Sequence, residues 1–217
     1  MLFNMADSAV EDGTKLVTPA QKRLYDAALR LFVERGACQV SVSELAEAAG
    51  VSRGTIYNNL KSTTDLFREL AAQLTTEMTL RVVKSYADQD GPVERLTLGI
   101  RFYVRRAHEE PLWGRFITQF SLSNDTLFEM FRGAPVQDVL AGVDAKRYSF
   151  RPEQLLSVVS MISGVVLGAM FLVLEGHKTW RDAGSDAAEL VLRALGVDAE
   201  SAQQIAAMPL PSLLPLD

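Results

Sequence analysis

From Leu155 to Leu174 the chain runs for 20 residues without a formal charge. A helix of that length that is apolar all round belongs either in a bilayer or inside a protein. Ser157, Ser160, Ser163, Gly164 and Gly168 dilute the run, and the rest of the chain is rich in amphipathic segments able to cover it. A buried core helix is therefore the expectation. The opening MLFNMADSAVEDG has no basic region followed by a long apolar stretch, so residues 1–14 read as an acidic, disordered tail and not as a secretory signal. Residues 208–217 carry Pro209, Pro211 and Pro215, which stop helix formation and predict an extended tail.

Between these ends, apolar residues recur at steps of three and four with no sustained alternation, which predicts an all-α chain of about ten helices. The first opens at Thr18, with Pro19 in the first turn and Gln21 at capping-box spacing; its stripe is Leu24, Ala27, Ala28, Leu31 and Phe32, and Gly36 ends it. A second box, Ser41 with Glu44, starts a helix burying Val42, Leu45, Ala46 and Ala49. Ser62 with Asp65 starts a long helix running towards Gln89, broken by Gly91 and Pro92. Further helices are expected over Val93–Ala107, on either side of a break near Ser121–Asn124, from Pro152, over Ala183–Leu195 and over Asp198–Ala207.

The most informative local pattern is helix, three-residue turn, helix across Ser41–Leu60, with Gly50, Val51 and Ser52 forming the turn. A second helix held across a first is the geometry that lays side chains into a DNA major groove. In the second helix of the pair, Ile56 and Leu60 lie four apart and face inward, turning Arg53, Gly54, Tyr57, Asn58 and Lys61 outward. Arg53 suits guanine and Asn58 adenine, Tyr57 and Lys61 suit phosphates, and Gly54 permits close approach. The helix starts near Ser41 and Ser52 add backbone amides for phosphate. With Ser43 and Thr55, these nine residues are the candidate DNA contacts.

The overall charge speaks against that partner, since 22 basic side chains face 27 acidic ones for a net −5. The charge is partitioned, however. Lys15–Lys61 holds seven basic against four acidic residues, a local +3, while the first fourteen residues contribute −3 and those beyond residue 70 a further −4. Two histidines and the single Cys38 cannot supply an intrachain disulfide or a four-ligand histidine and cysteine zinc site. No nucleophile and base pair, phosphate-cradling loop or carboxylate pair stands out, so neither catalysis nor a cofactor nor a metal is expected.

The stretch Leu24–Leu70 resembles the DNA-binding domain of the tetracycline-repressor (TetR) family. The resemblance is carried by Phe32-x-Glu34-x-Gly36, Leu45-Ala46, Ala49-Gly50-Val51-Ser52, Gly54-Thr55-Ile56-Tyr57 and Asp65-Leu66-Phe67. The chain departs from the family pattern at Asn59 and Leu60, where histidine and phenylalanine are usual, and at Thr63, where lysine is common and would contact phosphate. The resemblance implies a helix-turn-helix domain over residues 15–62 and a helical ligand-binding and dimerisation domain over 63–207. It also implies that Pro152–Gly176 and Ala183–Leu195 correspond to the helix pair that builds the family's dimeric four-helix bundle. Ser160, Gly164 and Gly168, four apart, fit close approach either of a partner subunit's helix or of another helix in the same subunit.

An apolar ligand pocket is expected among Phe102, Tyr103, Trp113, Phe116, Phe120, Phe128, Phe131, Met161, Met170 and Phe171, residue types that suit an adaptable cavity. Within that set Tyr103, Trp113, Phe116, Phe120, Phe128, Met161 and Phe171 are the leading candidates. His108 and His177 fit contacts with helix-terminal carbonyls. The resulting expectation is a cytoplasmic, homodimeric repressor that binds a double-stranded inverted-repeat operator and is released by a small apolar or aromatic effector, with no membrane partner. A membrane-tethered helix-turn-helix protein and an interaction module that has lost DNA binding are the alternatives.

Overall fold

A computed structural model of the chain describes residues 19–36, 39–54, 56, 62–86 and 91–216. Among the described residues the regular structure is helical throughout: α1 (Pro19–Arg35), α2 (Val42–Ala49), α3 (Thr63–Ser85), α4 (Pro92–Glu109), α5 (Pro111–Phe120), α6 (Asp125–Arg132), α7 (Ala134–Asp144), α8 (Leu155–Leu174), α9 (Trp180–Ala194) and α10 (Ala199–Ala206). Arg53, Gly54 and Ile56 are also helical, after the turn that follows α2.

Local chemistry sets most of the boundaries. Asp65 N–H donates to Ser62 Oγ at the start of α3, and Leu127 N–H to Asn124 Oδ1 at the start of α6. The second of these is the break expected near Ser121–Asn124. Helix α9 begins three residues before its expected start, because Thr179 caps it by accepting from Asp182 N–H. Pro152 opens one turn of 3₁₀ helix, Pro152–Gln154, and α8 follows.

Helix α4 is the central pillar. It packs against α5, α7, α8 and α9, and is buried on nearly every side, Val93, Leu96, Leu98, Ile100, Phe102, Val104 and Ala107 all facing protein. Helix α5 comes unusually close to it at Gly114, where an added Cβ would stand 2.9 Å from Ala107 Cβ and 3.0 Å from Ala107 Cα. Only glycine fits that crossing.

The uncharged α8 buries Val158, Val159, Ile162, Ser163, Val166, Leu167, Ala169 and Met170 against α4, α5 and α9. By length and composition Pro152–Leu174 is long and apolar enough to cross a membrane, yet this inner face is committed to protein. Its outer face shows Leu156, Phe171 and Leu172 together with Ser160, Gly164 and Gly168. Nothing described lies within 4 Å of a Cβ built on Gly164 or Gly168.

Residues 208–216 are extended, as the prolines predict, and they are docked. Arg101, Arg105, Arg81 and Lys84 donate to the carbonyls of Met208, Pro211, Leu214 and Pro215 respectively, at 2.5–3.2 Å. Leu214 N–H donates back to Ser85 Oγ at 2.8 Å, and Leu213 is buried. The segment straps the end of α3 to α4.

Candidate nucleic-acid interface and ligand cavity

Helices α1 and α2 and the turn beyond them form a small head. Leu24, Ala28, Leu31 and Phe32 of α1 and Leu45, Ala46 and Ala49 of α2 belong to its core, with Ile56 2% exposed from the following helix. Gly50 closes α2 at φ 63°, a left-handed conformation that suits glycine, and its N–H and that of Val51 bond back into the last turn. Ser52 O accepts from Ile56 N–H at 3.4 Å, so the next helix starts at Ser52. Ser52, Arg53 and Gly54 are exposed at that start. Thr55, Tyr57, Asn58 and Lys61, also expected to touch DNA, lie outside the described residues, as do Asn59 and Leu60.

Ser41 and Glu44 form the complete reciprocal box. Glu44 N–H donates to Ser41 Oγ at 3.3 Å and Ser41 N–H to Glu44 Oε2 at 2.9 Å. The start of α2 thus already holds a carboxylate, and Arg35 pairs with it. Hydrogen bonds from Ser41 and the charge of Arg35 hold the Glu44 carboxyl below the ordinary carboxylate value. Ser41 itself is exposed and Ser43 is half-buried.

The head is joined to the body by a cluster of rings in edge-on and tilted contact. Phe32 of α1 meets Phe67 of α3 edge-on at 5.3 Å between centroids, and Phe67 touches Phe116 at 5.3 Å and Phe120 at 5.1 Å. Tyr25 Oη donates to Glu69 Oε1 at 2.7 Å alongside. Phe116 and Phe120, expected in a ligand pocket, therefore lie in this head–body junction.

About 22 Å further along α3, at 1.5 Å per residue from Phe67 to Val82, the helix borders a cavity. The cavity has about 30 Å³ of free volume and lies between α3, α4, α6, α7 and α8. Apolar walls come from Val82, Leu96, Ile100, Met130, Ile162 and Val166, and Gly99 leaves one wall bare. One end is polar. Arg95 Nε donates to Asp138 Oδ1 at 2.6 Å, and Tyr86 hydrogen-bonds Asp138 from the end of α3. Burial raises the Asp138 carboxyl above its ordinary value, against the opposing effects of Arg95 and Tyr86. Burial, reinforced by the Asp138 charge, pushes the Tyr86 phenol up to about 12.

Of the leading pocket candidates Tyr103 borders this cavity, as does Phe131 from the wider set. Trp113 is buried beneath a guanidinium near the junction, Phe128 and Met161 are half-buried outside the cavity, and Phe171 is 54% exposed. Phe102 and Met170 are fully buried core residues. His108 faces Trp180, and His177 faces Phe171. Tyr86, Arg95 and Asp138 escaped the sequence reading, because ring and methionine content marks any core, whereas an arginine and an aspartate 43 positions apart carry no joint signal. A charged residue among the apolar positions of α7 is the one local hint.

A helix-turn-helix head carried by an all-helical body is the architecture of a DNA-binding transcriptional regulator. Residues 24–70 match the profile of bacterial regulatory proteins of the tetR family, and residues 91–208 that of the tetracyclin repressor-like C-terminal domain. The chain belongs to the TetR family of transcriptional regulators. Its sequence is 31% identical over 99 residues to an HTH-type transcriptional regulator of Mycobacterium tuberculosis, covering 46% of this chain and 49% of that protein. It is 46% identical over 50 residues to the regulator AcrR of Shigella flexneri, 23% of each chain. These matched stretches span half or less of the relatives' length. The structure resembles RolR in complex with resorcinol, with a TM-score of 0.69 and 26% identity over 90% of this chain and 96% of that one. It also shares its fold with a tetR-type regulator from Shewanella sp. PV-4, with a TM-score of 0.74 and 18% identity over 83% and 100% of the two chains.

Proposed function

We propose that this TetR-family regulator is a ligand-responsive repressor that works in the cytoplasm as a homodimer, binding an inverted-repeat operator and leaving it when a small apolar or aromatic effector enters the body. The observation that carries the reading is the reach of α3. One end packs Phe67 against Phe32 of the head; the other supplies Val82 and Tyr86 to the cavity. Anything that widens the cavity bears on the helix that positions the head. A coupling of about 1 to 3 kcal/mol between the two sites suffices for regulation.

The dimer reading is supported by the open face of α8. A Cβ on Gly164 or Gly168 meets nothing described within 4 Å, Ser160 is exposed on the same helix, and Leu190 of α9 is 57% exposed. A two-fold pairing there presents two heads about 34 to 36 Å apart, one DNA turn. Ser41, Ser43, Ser52, Arg53, Gly54, Thr55, Tyr57, Asn58 and Lys61 are the proposed operator contacts. RolR, determined with the small aromatic diol resorcinol, supports an aromatic effector.

The test is capture of genomic fragments by the purified protein, followed by sequencing. Enrichment of one inverted repeat, bound with an affinity that falls steeply with salt, supports the reading. Absence of any enriched repeat would sink it and leave an interaction module in its place.

A further inference from the structure

The chemistry of the cavity narrows the effector to one class. Its polar end holds an ion pair, Arg95 Nε to Asp138 Oδ1 at 2.6 Å, and Tyr86 adds a hydroxyl. A ligand carboxylate brought there meets the Asp138 carboxylate, and a ligand ammonium meets Arg95; either adds an unmatched charge in an apolar enclosure. A neutral hydroxyl meets neither objection. It donates to the Asp138 carboxylate or to the Tyr86 oxygen and accepts from the Arg95 guanidinium, and carboxylate and guanidinium partners make such bonds stronger than neutral pairs.

The remaining walls, from Leu96, Ile100, Met130, Ile162 and Val166, offer only apolar contact, and a Cβ on Gly99 meets nothing within 4 Å. With about 30 Å³ free, the cavity holds a water or two as it stands. A cavity that accepts a benzene ring measures roughly 150 Å³, several times the space free here, so entry of a ring must part the walls. Those walls include Val82 and Tyr86 of the α3 end.

We infer that the effector is a neutral, hydroxyl-bearing single-ring compound, a phenol, whose hydroxyl is read by the Arg95–Asp138–Tyr86 cluster and whose ring opens the cavity against α3. The inference rests on the effector reading above and deepens it.

The experiment compares three probes of one shape by calorimetry on the full chain at neutral pH: 4-ethylphenol, ethylbenzene and 4-ethylbenzoate. The phenol binds about tenfold more tightly than ethylbenzene, the worth of one well-placed hydrogen bond to a charged group, and the benzoate does not bind measurably. Asp138→Asn, close in shape, brings the phenol to within about threefold of ethylbenzene. Gly99→Leu grows a side chain into the cavity from α4, one turn beyond Arg95, and abolishes binding of both, while circular dichroism shows an intact helical protein. Ethylbenzene binding as well as the phenol, the benzoate binding better than either, or no neutral ring binding at millimolar concentration overturns the inference. Phenol binding unchanged in Gly99→Leu also overturns it, since the ligand is then elsewhere.

A parallel arm adds each probe to the captured operator fragment. Operator capture without release by the phenol refutes the effector class and leaves the regulator standing. Ring binding with the stated preference, but no fragment captured, refutes the regulator and leaves the site.

Discussion

Arg106 lays its guanidinium over the indole of Trp113, 4.5 Å from the ring centroid, while Nη2 donates to Glu77 at 3.0 Å and to Glu110 at 2.9 Å. Arg81 joins the same two carboxylates at 3.2 and 3.3 Å. One 2%-exposed arginine on α4 thereby ties α3 to α4 and lies against the first turn of α5. The indole N–H finds no acceptor among the described residues, so the ring is held by its face and its packing.

Replacing Arg106 by methionine keeps most of the apolar stem and removes the charge. The carboxylates left behind are partly exposed, so the loss falls below that of a fully buried pair, at about 2 to 3 kcal/mol. Urea unfolding should show it, with a melting temperature roughly 4 to 10 °C lower. Trp113→Phe discards an unsatisfied donor along with ring area and should cost less than Trp113→Ala by more than the area difference implies. A melt unchanged in Arg106→Met would mean that the cluster is decorative.

Arg53→Ala should weaken operator binding about 10- to 100-fold, the range for one bidentate base contact, and relax the preference at a single base pair. Arg53 is exposed, so the melting temperature should stay within a degree of the parent. At Gly54 a Cβ would stand 3.6 Å from Ser52 Oγ, ordinary contact, so Gly54→Leu should fold. If that variant loses the operator, the helix start approaches the duplex closely; full retention places the docking face elsewhere.

The carboxylate at the start of α2 competes with phosphate. Glu44→Gln retains an acceptor for Ser41 N–H and removes the negative charge, so it should tighten DNA binding without raising its sequence preference. Because the native carboxyl titrates below the unfolded value, its contribution to stability is present above that unfolded value and is lost as pH falls through the native one. Asp198, the cap of α10, is lowered for the same kind of reason, a backbone hydrogen bond from Ser201. Acid melts between about pH 5 and pH 3 should therefore be shallower in Glu44→Gln and Asp198→Asn than in the parent. Parallel profiles would refute the linkage.

Gly164→Leu and Gly168→Leu place bulk where the parent chain has open space, so each subunit should fold unaided. If this face pairs subunits, sedimentation should show the dimer weakened at least tenfold, since close helix approach depends on small residues. Operator affinity should fall in step, because two linked heads bind far more tightly than one. An intact dimer in both variants would move the interface off this face.

The fold was largely legible because it is written in local signals: Ser41 with Glu44, Gly50, Ser62 with Asp65, and Pro92 each act within a turn of themselves. The head followed for the same reason. The cavity did not, since its polar end is assembled from Tyr86, Arg95 and Asp138 on three helices, and nothing local makes a residue on one helix depend on a residue of another. Phe116 and Phe120 show the converse. Their apolar periodicity announced burial, but whether they would bury against a ligand or against Phe67 is decided by where α1 comes to rest.

The strap formed by residues 208–216 gives the carboxyl end mechanical leverage. Leu214 and Pro215 are moored to Arg81, Lys84 and Ser85, at most five residues from Tyr86 on the same helix as Phe67. Any load hung on that end, whether a fused fluorescent protein, an affinity tag gripped by resin or the pull of an unfolding protease, is delivered to the helix that aims the DNA head. Clipping at residue 207 instead removes the moorings and frees that helix to answer the cavity alone. Preparations with and without residues 208–216 should therefore differ in how much of the proposed effector is needed to release the operator.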